Sequence, residues 1–150
     1  MKKIGEYSCT GMVGDGAFER IILFDGRFDT GYRVTEFQLF PTAPFLGNGD
    51  VYGTLATKTD VTGYQYWRAD DNRQIAWSCF SSTGTDDITS SFSILEPDNL
   101  IIEDLYLYAN EEGNDNCNYF IKMDKYEMPE WTGTLAMVRN KSQASGARIG

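Results

Sequence analysis

A chain of 150 residues and 16.9 kDa with 22 acidic and 13 basic side chains carries a net charge of −9. Most of its surface therefore repels a phosphate backbone, and nucleic acid is not an expected partner. It contains no His, which removes the Ser-His-Asp and Cys-His triads, a His general base and the commonest zinc sites.

The length fits one domain that folds without a metal or disulfide staple. Aromatic residues make up 14%, and Gly is plentiful, which suits pleated strands joined by tight turns. In chain order, residues 4–13 and Phe18 to Asp25 flank Gly14, Asp15 and Gly16, a hairpin signal. Residues 32–40 and 51–58 read as two further strands. Ile75, Trp77 and Cys79 share one face against Gln74 and Ser78, and Ile88, Phe92 and Ile94 face away from Thr89, Ser91 and Ser93. Both patterns fit half-buried antiparallel strands.

Residues 100–109 form the most apolar run, with Leu105 and Leu107 opposite Tyr106 and Tyr108. That suits a central strand covered on both faces, and Pro97, Asp98 and Asn99 form the turn before it. After a polar loop at 110–117, Tyr119, Ile121 and Met123 alternate with Phe120, Lys122 and Asp124. About eight strands with no helical period before residue 130 predict an all-β, antiparallel β-sandwich, jelly-roll-like, with a short C-terminal arm. An orthogonally packed barrel is the alternative. The only compositional boundary is near Trp131, dividing a body at 1–131 from an arm at 132–150. The body holds all 22 acids and ten bases, net −12, and the arm holds only Arg139, Lys141 and Arg148, net +3.

Cys9, Cys79 and Cys117 are too far apart for a metal knuckle or redox motif and read as free, buried thiols. The chain passes from Lys2 and Lys3 straight to Ile4, Gly5, Glu6 and Tyr7, without the apolar core of a signal peptide, so folding in a cytoplasm is expected. No apolar run approaches the roughly 20 residues of a membrane-spanning helix, and no membrane partner is expected. The Gly-rich segment at 11–16 joins two strands and lacks the context of a phosphate loop. No cofactor motif and no metal site is assigned.

Acidic clusters at Asp70, Asp71 and Asn72, at Asp86 and Asp87, and at residues 111–116 lack EF-hand spacing and read as solvated loops. Carboxylate pairs of glycosidase type need only two acids on adjacent strands, which 22 acids supply by coincidence. Tyr64, Tyr66 and Trp67 beside Asp70 and Asp71 have the makings of a sugar-binding surface, and equally of an interface or of packing under a loop. In the arm, Trp131, Leu135, Met137 and Val138 form a short apolar stripe followed by Arg139 and Lys141. It reads either as a closing strand with a frayed end or as an arm exchanged between subunits.

The stretch Asp98 to Tyr108 with Asn118, Tyr119 and Lys125 to Glu127, the ending Leu135 to Gln143, the opening Lys2 to Tyr7 and the segment Leu23 to Thr30 together resemble small β-rich proteins of marine tailed bacteriophages. The resemblance covers both ends and the centre but not the loops at 42–50, 59–72 and 110–117, and no catalytic signature travels with it. It implies a non-enzymatic virion structural protein, a capsid decoration or cement protein or a capsid-associated homo-oligomer, assembled in the host cytoplasm with a major capsid or tail protein as partner. A tail or fibre-base component and a glycan- or receptor-binding module are the alternatives.

Overall fold

The computed structural model describes residues 1–42, 50–58, 67–83, 88–112 and 116–141. Eight strands, β1 (Lys2–Val13), β2 (Ala17–Ile21), β3 (Thr30–Pro41), β4 (Val51–Ala56), β5 (Gln74–Thr83), β6 (Ile88–Leu95), β7 (Leu105–Glu111) and β8 (Cys117–Glu127), precede one helix, α1 (Glu130–Lys141). They form two antiparallel sheets, one ordered β1-β8-β3 and the other β2-β7-β4-β5-β6. This is the all-β sandwich that the alternation predicts.

The core lies between the sheets. Val34, Phe37 and Leu39 of β3 and Cys117, Tyr119, Ile121 and Met123 of β8 meet Val51 and Leu55 of β4, Ala76 of β5, and Leu105, Leu107 and Ala109 of β7. The sets follow the two-residue alternation of a strand, broken on β3 by the register shift between Val34 and Glu36, so one face of each strand leaves water. Gly53 sits against β7 on one side and Leu39 of the facing sheet on the other, with no room for a side chain. A Cβ there would lie 2.2 Å from the Tyr108 carbonyl oxygen and 2.7 Å from Leu39 Cδ1.

Four expectations are corrected. β1 and β2 do not form a hairpin: β1 pairs with β8 and β2 with β7, in different sheets. The Gly14–Gly16 turn is tied to the end of β7, where Gly16 N donates to Ala109 O and Asp15 Oδ1 accepts from Glu111 N. Gly16 takes the left-handed φ of +70° that this corner requires.

On β5 and β6 the faces are exchanged. The register shifts between Leu55 and Ala56, so Gln74 joins Trp77 on the outer face, where its Oε1 accepts from Trp77 Nε1. Ser78 points inward, its Oγ accepting from Leu39 N and from Ser93 Oγ of β6. Phe92 and Ile94 consequently face out, while the Ile88 side chain lies outside the described residues.

The run 100–109 is not one strand. Ile101 exchanges both backbone hydrogen bonds with Tyr32, and Asn99 bonds Val34 N and Val34 O through its side chain, so this segment closes the free edge of β3. Asp104 then turns the chain, accepting from Leu23 N, Phe24 N and Arg20 Nε, and β7 begins only at Leu105.

Finally, residues 130–141 form a helix and not a closing strand. Pro129 stands before Glu130 in the first turn, and Arg139 and Lys141 occupy the last, which matches the helix dipole at both ends. The compositional change near Trp131 falls within the first turn of α1. Residues 142–150 lie outside the described residues.

Candidate functional site

The register places one row of side chains across the outer face of the five-stranded sheet: Phe18 beside Tyr108, Tyr108 beside Thr54, Thr54 beside Trp77, and Trp77 beside Ile94. A second row runs Asn110, Tyr52, Cys79, Phe92. Its large apolar members stay in water at both margins: Phe18 is 47% exposed, Phe92 46% and Ile94 56%. The rings of Phe18 and Tyr108 pack at 5.2 Å, and Trp67 meets Phe92 edge-on at 5.7 Å. Aromatic pairs of this kind give a rigid surface that loses little side-chain freedom when covered.

The sequence-predicted loop divides. Tyr64 and Tyr66 lie outside the described residues. Trp67 extends the aromatic face through Phe92. Asp70 is paired with Arg68 at 3.3 Å, and buried Asp71 holds the Arg73 guanidinium by two contacts of 2.9 Å while also accepting from Arg73 N. Burial alone would raise the Asp71 pKa, but the Arg73 side chain and amide hold it below the usual carboxylate range. Both acids therefore serve the loop itself. Asp86 and Asp87 lie outside the described residues, and among the described residues no three acidic or thiol side chains gather as a metal centre would need.

The predicted arm residues lie on α1, seated elsewhere on the body. Gly133 rests on the Phe28 carbonyl, Asn140 Nδ2 donates to Leu100 O at 2.7 Å, and Thr57 Oγ1 donates to Asn140 O at 2.5 Å. Arg139 pairs with Asp98 at 3.2 Å and Lys141 with Glu103 at 3.5 Å. Met137 is half-buried, whereas Trp131, Leu135 and Val138 are exposed. The arm and the Trp67 loop are thus two surfaces and not one.

A hollow of about 420 Å³ opens at one end of the aromatic face, lined by Asp50, Tyr52, Cys79, Ser81, Asn110 and Glu112. Ser81 Oγ donates to Asp50 Oδ1 at 2.8 Å, Asn110 Nδ2 donates to Tyr52 Oη at 2.7 Å, and hydrogen bonding with Asp50 raises the Glu112 pKa. Among the described residues lining the hollow, the Asp50 carboxylate is the group that Ser81 bonds. All three thiols are free, and burial raises each pKa, that of Cys117 to about 12, so they stay protonated at neutral pH.

The apolar outer face escaped the sequence reading at Phe18, Tyr52, Phe92 and Ile94. The Tyr106 and Tyr108 alternation was its one legible signal. Among the described residues no helix is long and apolar enough to cross a membrane. No protein-family model matches the chain, and no curated protein is similar enough to match it.

Proposed function

We propose that the protein is a non-enzymatic structural component of a tailed-bacteriophage virion, a capsid decoration or cement protein. It acts through contacts with other virion proteins and with copies of itself, and it is assembled in the host cytoplasm. The observation that carries the contact role is the outer face of the five-stranded sheet, where Phe18, Phe92 and Ile94 stand exposed beside half-buried Tyr52 and Tyr108 and buried Trp77. Large apolar side chains clustered on one face favour association with another surface. The virion assignment is supported by the resemblance of both ends and the centre of the chain to marine phage proteins.

A glycan-binding role is less well supported, because Asp70 and Asp71, the acids beside Trp67, are engaged by Arg68 and Arg73. A tail or fibre-base location would use the same contact face.

Exchanging Phe92 and Ile94 together for Ser tests the role of that face. Both side chains are about half exposed, so their loss costs only about 1 kcal/mol of stability and the melting temperature moves by a few degrees. Incorporation into particles in an assembly assay is expected to fall at least about tenfold, as for truncated anchors at interfaces. Normal incorporation of the folded double variant would refute the sheet face as the contact surface.

A further inference from the structure

Helix α1 seats a glycine and an asparagine on the body and turns three large apolar residues outward. Gly133 and Asn140 are its buried positions and are held by the backbone carbonyls of Phe28 and Leu100 and by the Thr57 hydroxyl. Trp131, Leu135 and Val138, spaced i, i+4 and i+7, are 67%, 61% and 63% exposed. That spacing sets them one above another on the solvent side, the pattern of anchors that a helix presents to a facing surface. A helix whose only task is to cover a core has the reverse arrangement.

We infer that this stripe docks on the α1 of a second copy, the two helices lying antiparallel about a twofold axis at Leu135. The occupant is chosen by charge and register. Glu130 in the first turn and Lys141 in the last fall on the same flank of the stripe. In the antiparallel pair Glu130 of each copy comes within one residue's rise of Lys141 of the other, giving two equivalent ion pairs and opposed helix dipoles. In a parallel pair the twofold carries Glu130 and Lys141 of the second copy to the opposite flank, and no ion pair forms. Trp131 meets Val138 and Arg139 of the second copy, joining apolar burial to a guanidinium over an indole. A groove of about 310 Å³ beside the stripe, lined in part by Met1, Leu100, Leu135 and Ala136, gives the indole of the second copy a seat. The internal pairs of Arg139 with Asp98 and Lys141 with Glu103 involve partly exposed groups, which can accept a further partner.

The inference rests on the self-contact in the reading above and deepens it. Oligomeric state in solution and incorporation into particles are separate readouts, so each can fail without the other. Sedimentation equilibrium of the full chain over a dilution series is expected to show a monomer–dimer equilibrium. Leu135→Glu and Trp131→Ala, both at exposed positions, are each expected to weaken it at least about tenfold with the melting profile retained. Glu130→Lys should also weaken it, and adding Lys141→Glu should restore it, a recovery that loss of helix structure would not produce. A wild-type chain that stays monomeric at every concentration overturns the proposal. So does an oligomer unmoved by Leu135→Glu and Trp131→Ala, or a double charge exchange that recovers nothing.

Discussion

Replacing Asp104 by Ala is expected to cost about 3 kcal/mol, which for a chain of this length lowers the melting temperature by about 6–12 °C. Asp104 is buried where the apolar run 100–109 breaks, and its two oxygens accept from Arg20, from Leu23 N at 3.0 Å and from Phe24 N at 3.2 Å. Ala leaves both amides without their acceptor and frees the loop between β2 and β3. Most of the loss comes from those amides. Arg20 is largely exposed, so water screens its pairing and it contributes the smaller part.

The same carboxylate gives the protein an acid-sensitive joint. Burial by itself would raise the Asp104 pKa, but Arg20 and the two amides together hold it below the usual carboxylate range. Its stabilisation is therefore complete above the unfolded value of about 4 and is lost as pH falls through the lower folded value. Asp71 acts in the same direction through Arg73. Thermal melts across acidic pH should show the wild type losing stability below about pH 4 more steeply than Asp104→Asn, whose amide cannot titrate. Equal slopes would remove Asp104 from the account.

The second large effect is expected at Gly133, and its sign runs against helix propensity. In an isolated helix Gly→Ala stabilises by about 1 kcal/mol. Here the added Cβ would stand 2.0 Å from the Phe28 carbonyl oxygen, a backbone atom that cannot rotate away. Gly133→Ala is expected to push α1 off its seat, weaken the Asn140 bonds to Leu100 and Thr57, and expose Ile102, at a net cost of about 2 kcal/mol. Limited proteolysis should show earlier cleavage between residues 130 and 141 together with a lower melting temperature. A variant as stable and as resistant as wild type would mean that the close contact is not what fixes the helix.

These two sites mark where the sequence was legible and where it was not. Alternation in residues 105–108 and 119–124 identified two strands and put Leu105, Leu107, Tyr119, Ile121 and Met123 on one side, the inward one, but Tyr106 and Tyr108 are half-buried and not covered as a strand buried on both faces would be. On β5 the shift near Ala56 moved Gln74 onto the face of Trp77, and alternation carries no sign of such an extra residue. The turn at Gly14–Gly16 was recognisable as a turn, but whether a turn returns the chain to its own sheet depends on distant partners, here Ala109 and Glu111.

Asp104 was hidden inside an apolar run, since its role depends on amides some 80 residues away. The helix was obscured by Thr132, Gly133 and Thr134, weak helix formers whose value lies in close seating on the body. The predicted arm residues proved exposed at Trp131, Leu135 and Val138 and engaged at Arg139 and Lys141. Of the predicted ligand loop, Trp67 joins the aromatic face while Asp70 and Asp71 serve neighbouring arginines.

The central claim is that this protein works as a piece of a virus particle by covering its aromatic sheet face on a neighbour. Quantitative mass spectrometry of purified particles tests it most directly. Peptides of this chain are expected in the particle fraction at a copy number set by the particle's symmetry, high if it lies on the shell and low if it lies in the tail. Its absence from purified particles, with the protein present in the lysate of the same infection, would contradict the claim.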